Sequence, residues 1–398
     1  MNKTILNDHR QIARELVARM HAGGGLAPVD VERFWADDAK AKADPFAADC
    51  PQVSLGVVMN GEAVWDELGI AEDWHRYLHD DAYRVELNRR YNDKAERIVG
   101  RRLLGESFTP ADHRYPHVKE LYEIFEAKQE WHSWSYWIVE SAHNEDQLKA
   151  LLDRVEKRLE HLRQFMLPDN WDAEKKRLRA LDVKPPLYRG QRGPVTFATS
   201  IYGAESLLFL MMDNPNLAQR FRDVIVKAML ERARVLDEEA GYTPATAPRG
   251  FSFMDDNCCL LTPDLYEMFG YPILKAIFER YAPDAHDWRY QHSDSAMGHL
   301  LPILGRLNLR ACNFGPTVLV KDIRPHMPRT RIDGCLAPFT LSRNEEQNIV
   351  LEFLRDFEQA RQRKGLHFAT AGSINNGSRL GAMRLIMSAI QQFGRYDR

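Results

Sequence analysis

Cysteine is scarce in this 398-residue chain. There are five, Cys50, Cys258, Cys259, Cys312 and Cys335, an odd number with no C-x-x-C pair. That pattern excludes a disulfide framework and points to a reducing compartment, with the cytoplasm as the expected location. An excess of charge of one sign is also missing. The 54 basic and 57 acidic residues are interspersed and leave a formal net charge of -3, so no footprint for nucleic acid is visible. No apolar run approaches the length of a membrane span. Residues 1–25, MNKTILNDHRQIARELVARMHAGGG, carry charges too often for a secretory signal. The glycine-rich turns that cradle phosphates, G-x-G-x-x-G and G-x-x-x-x-G-K, are absent, and the GGG at Gly23 to Gly25 reads as a linker.

What is present is ordinary for a globular protein, 44% hydrophobic and 28% charged. Short apolar, β-branched runs alternate with amphipathic helical stretches. Candidate strands are QVSLGVVMN (52–60), HSWSYWIVE (132–140), GPVTFATS (193–200), RGFSFMDD, DWRYQHSD, LRACNFGP, TRIDGCLAP and LHFATAGS. Between them lie helical segments: one from Asn144, one over 204–239 broken near DNPN, and one opened by Thr262-Pro263. Strand–helix alternation implies a parallel sheet. Eight strands fit a closed barrel better than an open doubly wound sheet. The expected fold is therefore α/β, a (β/α)8 TIM barrel with an N-terminal helical extension over residues 1–50 and the barrel over 51–398.

In such barrels chemistry sits where strands end. The stretch QHSDSAMGH (291–299) puts His292 and Asp294 two residues apart, on one face of an extended chain. Imidazole plus carboxylate can hold a divalent ion or act as an acid–base pair. The plain alternative is a core histidine and a helix-capping aspartate. His299, one turn further on, packs beneath the loop or reaches the site. Asp255 and Asp256 end another strand in FMDDNCCLL; at most one should face a pocket, as a base or as an acceptor for substrate N–H groups. Cys258 and Cys259 read as small buried hydrophobes. Cys335 is a thiol just past a strand end. Tyr202, Asn313 and Ser373 fall at strand ends as substrate-contacting candidates. Arg189 and Arg192 precede their strand, which places them at the opposite rim. The aromatic cluster Trp131 to Trp137 either walls a planar ligand or packs in the core.

From Gly193 to Tyr396 the chain resembles the uroporphyrinogen decarboxylase superfamily. The resemblance rests on GPVTFATSIYG, DDNCCLLTPDLYEMFGYPILKAIFE, HSD followed by an LLPIL helix, NFGP, GCLAPFTL and TAGSINNG, in that order. It implies the same barrel. One branch comprises cobalamin-dependent methyltransferases whose His-x-Cys and later Cys bind zinc that activates a thiol. Here Asp294 stands in place of the first Cys and Ser373 in place of the second, leaving His292 and Asp294 as the implied metal ligands. The decarboxylase branch grips substrate carboxylates with an N-terminal arginine motif; SLGVVMNGEAVWDELG replaces it. The resemblance thus implies a diverged methyltransferase, using Zn2+ and a corrinoid supplied by a partner protein or another C1 donor. Its alternatives are a metal-free tetrapyrrole decarboxylase relying on Asp255 or Asp256, and a non-catalytic tetrapyrrole- or corrinoid-binding barrel. The expected partners are a small-molecule or corrinoid-protein substrate and a second copy in a homodimer, with no nucleic acid and no membrane.

Overall fold

Six of the short apolar runs, together with residues 190–192, become the strands of one seven-stranded sheet in the computed structural model, which describes residues 3–397. In chain order the strands are β1 (Ser54–Leu55), β2 (Lys128–His132), β3 (Ser135–Val139), β4 (Gly190–Arg192), β5 (Phe251–Met254), β6 (Arg289–Ser293), β7 (Ala311–Phe314), β8 (Arg331–Asp333) and β9 (Leu366–Phe368). The sheet runs β1-β9-β8-β7-β6-β5-β4, while β2 and β3 form a separate antiparallel hairpin. The registers of β1 with β9, β4 with β5, β5 with β6, β7 with β8 and β8 with β9 are all parallel. Helices follow most of the strands, as the alternation requires.

The chain divides into two units. One comprises residues 3–108, 294–298 and 311–397. It carries β1, β7, β8 and β9 together with the helices Glu346–Ala360 and Leu380–Phe393, which bury Ile349, Val350, Phe353, Leu385 and Ile386. The other comprises residues 109–293 and 299–310. It carries β4, β5 and β6 and the hairpin. Its core gathers Phe251, Phe253, Phe278 and Tyr281 on the helix-facing side of β5.

Local signals place the three named helical segments correctly. Asn144 caps Glu145–Leu159 by accepting the Gln147 N–H at 2.9 Å, and Leu148, Leu151, Leu152 and Val155 form the buried stripe. Asn144→Ala should cost about 1 kcal/mol, read by urea denaturation. The long helical stretch breaks as expected, into Ala204–Asp213 and Pro215–Glu239. Thr262 accepts the Leu265 N–H ahead of Pro263.

Two strand assignments were wrong. GPVTFATS is a helix, Pro194–Tyr202, and the strand is the three residues before it. Its β-branched content suggested a strand, but Pro194 sits at the first helical turn. Asp255, reaching over from β5, accepts the Thr196 N–H at 2.8 Å and so caps the helix from outside. The segment 132–140 does contain β3, but in the hairpin rather than in the parallel sheet. Trp134 and Trp137 are exposed there, so core packing does not explain that aromatic cluster. Among the described residues no single helix is long and apolar enough to cross a bilayer. The apolar pair 194–202 and 204–213 is bent by 102°, and the first of the two is almost wholly buried.

Candidate metal centre

The site is built on a register. Arg192, the last residue of β4, pairs with Met254 of β5, and Met254 pairs with His292 of β6. Register partners in a parallel sheet share a face, so these three side chains stand in one row at the end of their strands. The row is fixed by backbone bonds just beyond it. Gly193 N–H donates to the Met254 carbonyl at 2.5 Å, and Asp255 N–H donates to the His292 carbonyl at 2.8 Å.

Past Met254 the chain turns into a short 3-10 segment, Asp256–Leu260. The two aspartates then part company, as alternation demands. Asp255 points to the helix side and is fully buried; its Oδ1 caps the 194–202 helix and its Oδ2 has no hydrogen-bond partner. Burial pushes its carboxyl up to about 7, against the Thr196 hydrogen bond that pulls the other way. Asp256 faces the row instead. Its carboxylate lies 3.6 Å from His292 Nε2, with the side chains 43% and 18% exposed respectively.

Asp294 follows His292 by two residues and is exposed. One ligand atom from each of Asp256, His292 and Asp294 lies within 4.8 Å of the others, close enough to surround one cation. The donor set is one nitrogen and two carboxylates, which suits zinc and harder divalent ions alike. Asp294 is held by close packing. A Cβ on Gly315 would fall 2.5 Å from the Asp294 and Ser295 carbonyl oxygens, and one on Gly372 would fall 3.0 Å from Asp294 Cβ.

The remaining sequence candidates fall elsewhere. Asn313 is buried and used up structurally: its amide donates to the Asp333 and Thr370 carbonyls, and its Oδ1 accepts the Gly372 N–H at 2.9 Å. It thereby ties down the turn that carries Ser373, which is exposed. Tyr202 does not follow a strand. It ends the 194–202 helix and is buried, so the geometric basis for a pocket role is gone. His299 lies outside the three-donor cluster, with Nε2 2.9 Å from the Leu261 carbonyl. Cys258 and Cys335 are buried. Burial pushes both thiols well up, so neither offers a thiolate.

Asp256, which the sequence offers as a base or an acceptor, also lies where it can serve as a third donor beside His292 and Asp294. The strand-like composition of PVTFATS puts Arg192 at the opposite rim, but the strand is residues 190–192, so Arg192 lies at the same strand ends as His292. Arg189, by contrast, is structural, bonded to Asp237 and to the Pro248 carbonyl.

The uroporphyrinogen decarboxylase (URO-D) family profile matches residues 152–393. The structure is similar to that of a methyltransferase from Methanosarcina mazei, with a TM-score of 0.51 and 15% identity, covering 88% of this chain and 96% of that one. At that identity the likeness speaks for the fold alone. No curated protein matches the chain. The α/β barrel class expected from the alternation of strands and helices agrees with both matches. With the profile spanning more than half its length, the chain belongs to the uroporphyrinogen decarboxylase family.

Proposed function

We propose that this protein is a metal-assisted methyltransferase that takes its methyl group from a corrinoid, carried by a partner protein, or from another C1 donor. The observation that carries the reading is the convergence of Asp256, His292 and Asp294 on one point at the strand ends. Zn2+ or a similar ion held there would lower the pKa of an acceptor thiol and so furnish a thiolate nucleophile.

The chain's own residues would do the rest. His292 presents Nε2 from the rigid end of β6, where the strand pairing with β5 fixes its direction. The two carboxylates supply a charge of -2 that balances a divalent cation, and they do so without any protein thiolate. The fourth position is then left for the acceptor, as in other open sites with three protein donors. Met254, exposed between Arg192 and His292, gives the row an apolar centre against which a substrate can lie.

Elemental analysis and metal titration of the purified full-length protein test the proposal. About one divalent ion per chain is expected, with affinity reduced on the order of 10- to 100-fold or more in His292→Ala and in Asp256→Asn. The metal-loaded protein should transfer methyl groups from methylcobalamin to a small thiol. Metal content unchanged in His292→Ala would overturn the reading. So would loss of carboxyl groups from uroporphyrinogen catalysed equally well by metal-stripped protein.

A further inference from the structure

We infer that Arg192 is an oxyanion clamp, so that the substrate accepted at this site carries a carboxylate or a similar anionic group beside its reacting atom. The inference rests on the site reading above for its location, and not on the presence of a metal.

The argument begins with charge. Arg192 is half-buried, and among the described residues its guanidinium forms neither an ion pair nor a side-chain hydrogen bond. Most of the other arginines withdrawn from water in this unit are matched. Arg232 pairs with Glu120, Arg189 with Asp237, and Arg158 with Glu126. An arginine cannot shed its charge as a lysine can, so withdrawing it from water unmatched is costly unless a counter-ion arrives. Asp256 acts on Arg192 through space, but its carboxylate is placed at His292 instead, 3.6 Å away. If Asp256 also serves a cation, still less of its charge is left for Arg192.

Geometry adds direction. Arg192, Met254 and His292 occupy consecutive places in one row, with Arg192 and His292 separated by a single strand. Neighbouring strands lie about 4.8 Å apart, so the two Cα atoms are on the order of 10 Å from each other. That span suits a small substrate with its anionic end on the guanidinium fork and its reacting end at Asp256 and His292. The fork offers paired N–H donors that match a carboxylate edge-on, a match a lysine ammonium does not reproduce. The backbone beneath Arg192 is rigid, since Gly193 is bonded to the Met254 carbonyl and packed directly on Asp255. A clamp anchored there loses little entropy on binding.

Isothermal titration of the full-length protein, metal-stripped and zinc-loaded, tests this with tricarballylate, its neutral triamide and inorganic phosphate as probes. The wild type should bind at least one of the two anions and not the triamide, and the tighter of the two identifies the oxyanion preferred. Arg192→Gln should weaken that anion at least tenfold, about 1.4 kcal/mol. Arg192→Lys should recover only part of the loss, and both variants should keep the wild-type metal content and melting temperature. Equal anion affinity in wild type and Arg192→Gln overturns the inference, as does absence of anion binding to the wild type. Failure of the metal reading would show instead as missing metal, with the anion results unaffected in the stripped protein.

Discussion

Gly193→Ala should destabilise the protein by about 3 kcal/mol or more and abolish metal binding at the same time. A Cβ at position 193 would stand 2.0 Å from Asp255 Cβ, 2.3 Å from its Cγ and 2.6 Å from its Cα. Overpacking in a tight interior costs typically about 1–3 kcal/mol, and more where nothing can yield. Nothing here yields easily. Asp255 is sealed, its N–H is committed to the His292 carbonyl and its Oδ1 to the Thr196 N–H. Relief therefore requires the end of β5 to move, and the next residue along is Asp256. Backbone conformation is not the cause, because φ at Gly193 is -63°. Gly190→Ala provides the control. It is on the same strand, and its Cβ would meet the Ser252 carbonyl oxygen at an ordinary 3.8 Å. Denaturation midpoints and zinc titrations of the two variants should separate them sharply; indistinguishable curves would mean that the Gly193–Asp255 contact does not hold the site together.

The same contact explains why part of the site was hard to read in the sequence. His292 and Asp294 were legible because an i, i+2 pair at the end of an extended run needs only strand periodicity. Asp256 was legible as one of two candidates, but its pairing with His292 depends on the parallel register of β5 and β6, which no local pattern encodes. Arg192 was misplaced for a related reason. The run PVTFATS has strand-like composition and a helical fate, decided by Pro194 and by a carboxylate 59 residues away in sequence. Once that segment is a helix, the three residues before it become the strand and Arg192 moves from one rim to the other. The Pro after Gly was the one available sequence signal, and it is the signal that correctly placed the helix at Pro263. Asn313 shows the converse failure. It is a polar residue at a strand end, yet its amide is consumed by three strand-end backbone groups, so its task is to hold the loop beside Asp294.

Two buried ionisable groups should give single variants opposite pH profiles, each worth about 4–5 kcal/mol. Asp255 has its carboxyl raised by burial from 3.8 to about 7. At about 1.4 kcal/mol per tenfold, that is about 4 kcal/mol. The sign follows from proton uptake: the native state holds its proton longer than the unfolded chain. Stability is therefore fully present below pH 3.8 and is lost as pH rises towards 7. His367 does the reverse. Its Nδ1 lies 2.8 Å from Ser54 Oγ, and burial, with Arg331 and Lys42 nearby, lowers its pKa from 6.5 to about 3. The unfolded chain takes up that proton first, so stability is present above pH 6.5 and is lost as pH falls towards 3, by about 5 kcal/mol in full. In the wild type the two slopes largely offset one another between pH 4 and pH 7. Asp255→Asn keeps an acceptor for the Thr196 N–H but cannot ionise; relative to the wild type it should gain stability steadily from pH 4 to about pH 7 and level off above that. His367→Asn keeps a hydrogen-bonding group towards Ser54 and should gain on the acid side instead. Urea denaturation of the three proteins at unit pH steps reads both slopes. Parallel curves for Asp255→Asn and the wild type would show that the carboxyl is solvated, and with it would go the sealed cap that turns Asp256 towards His292.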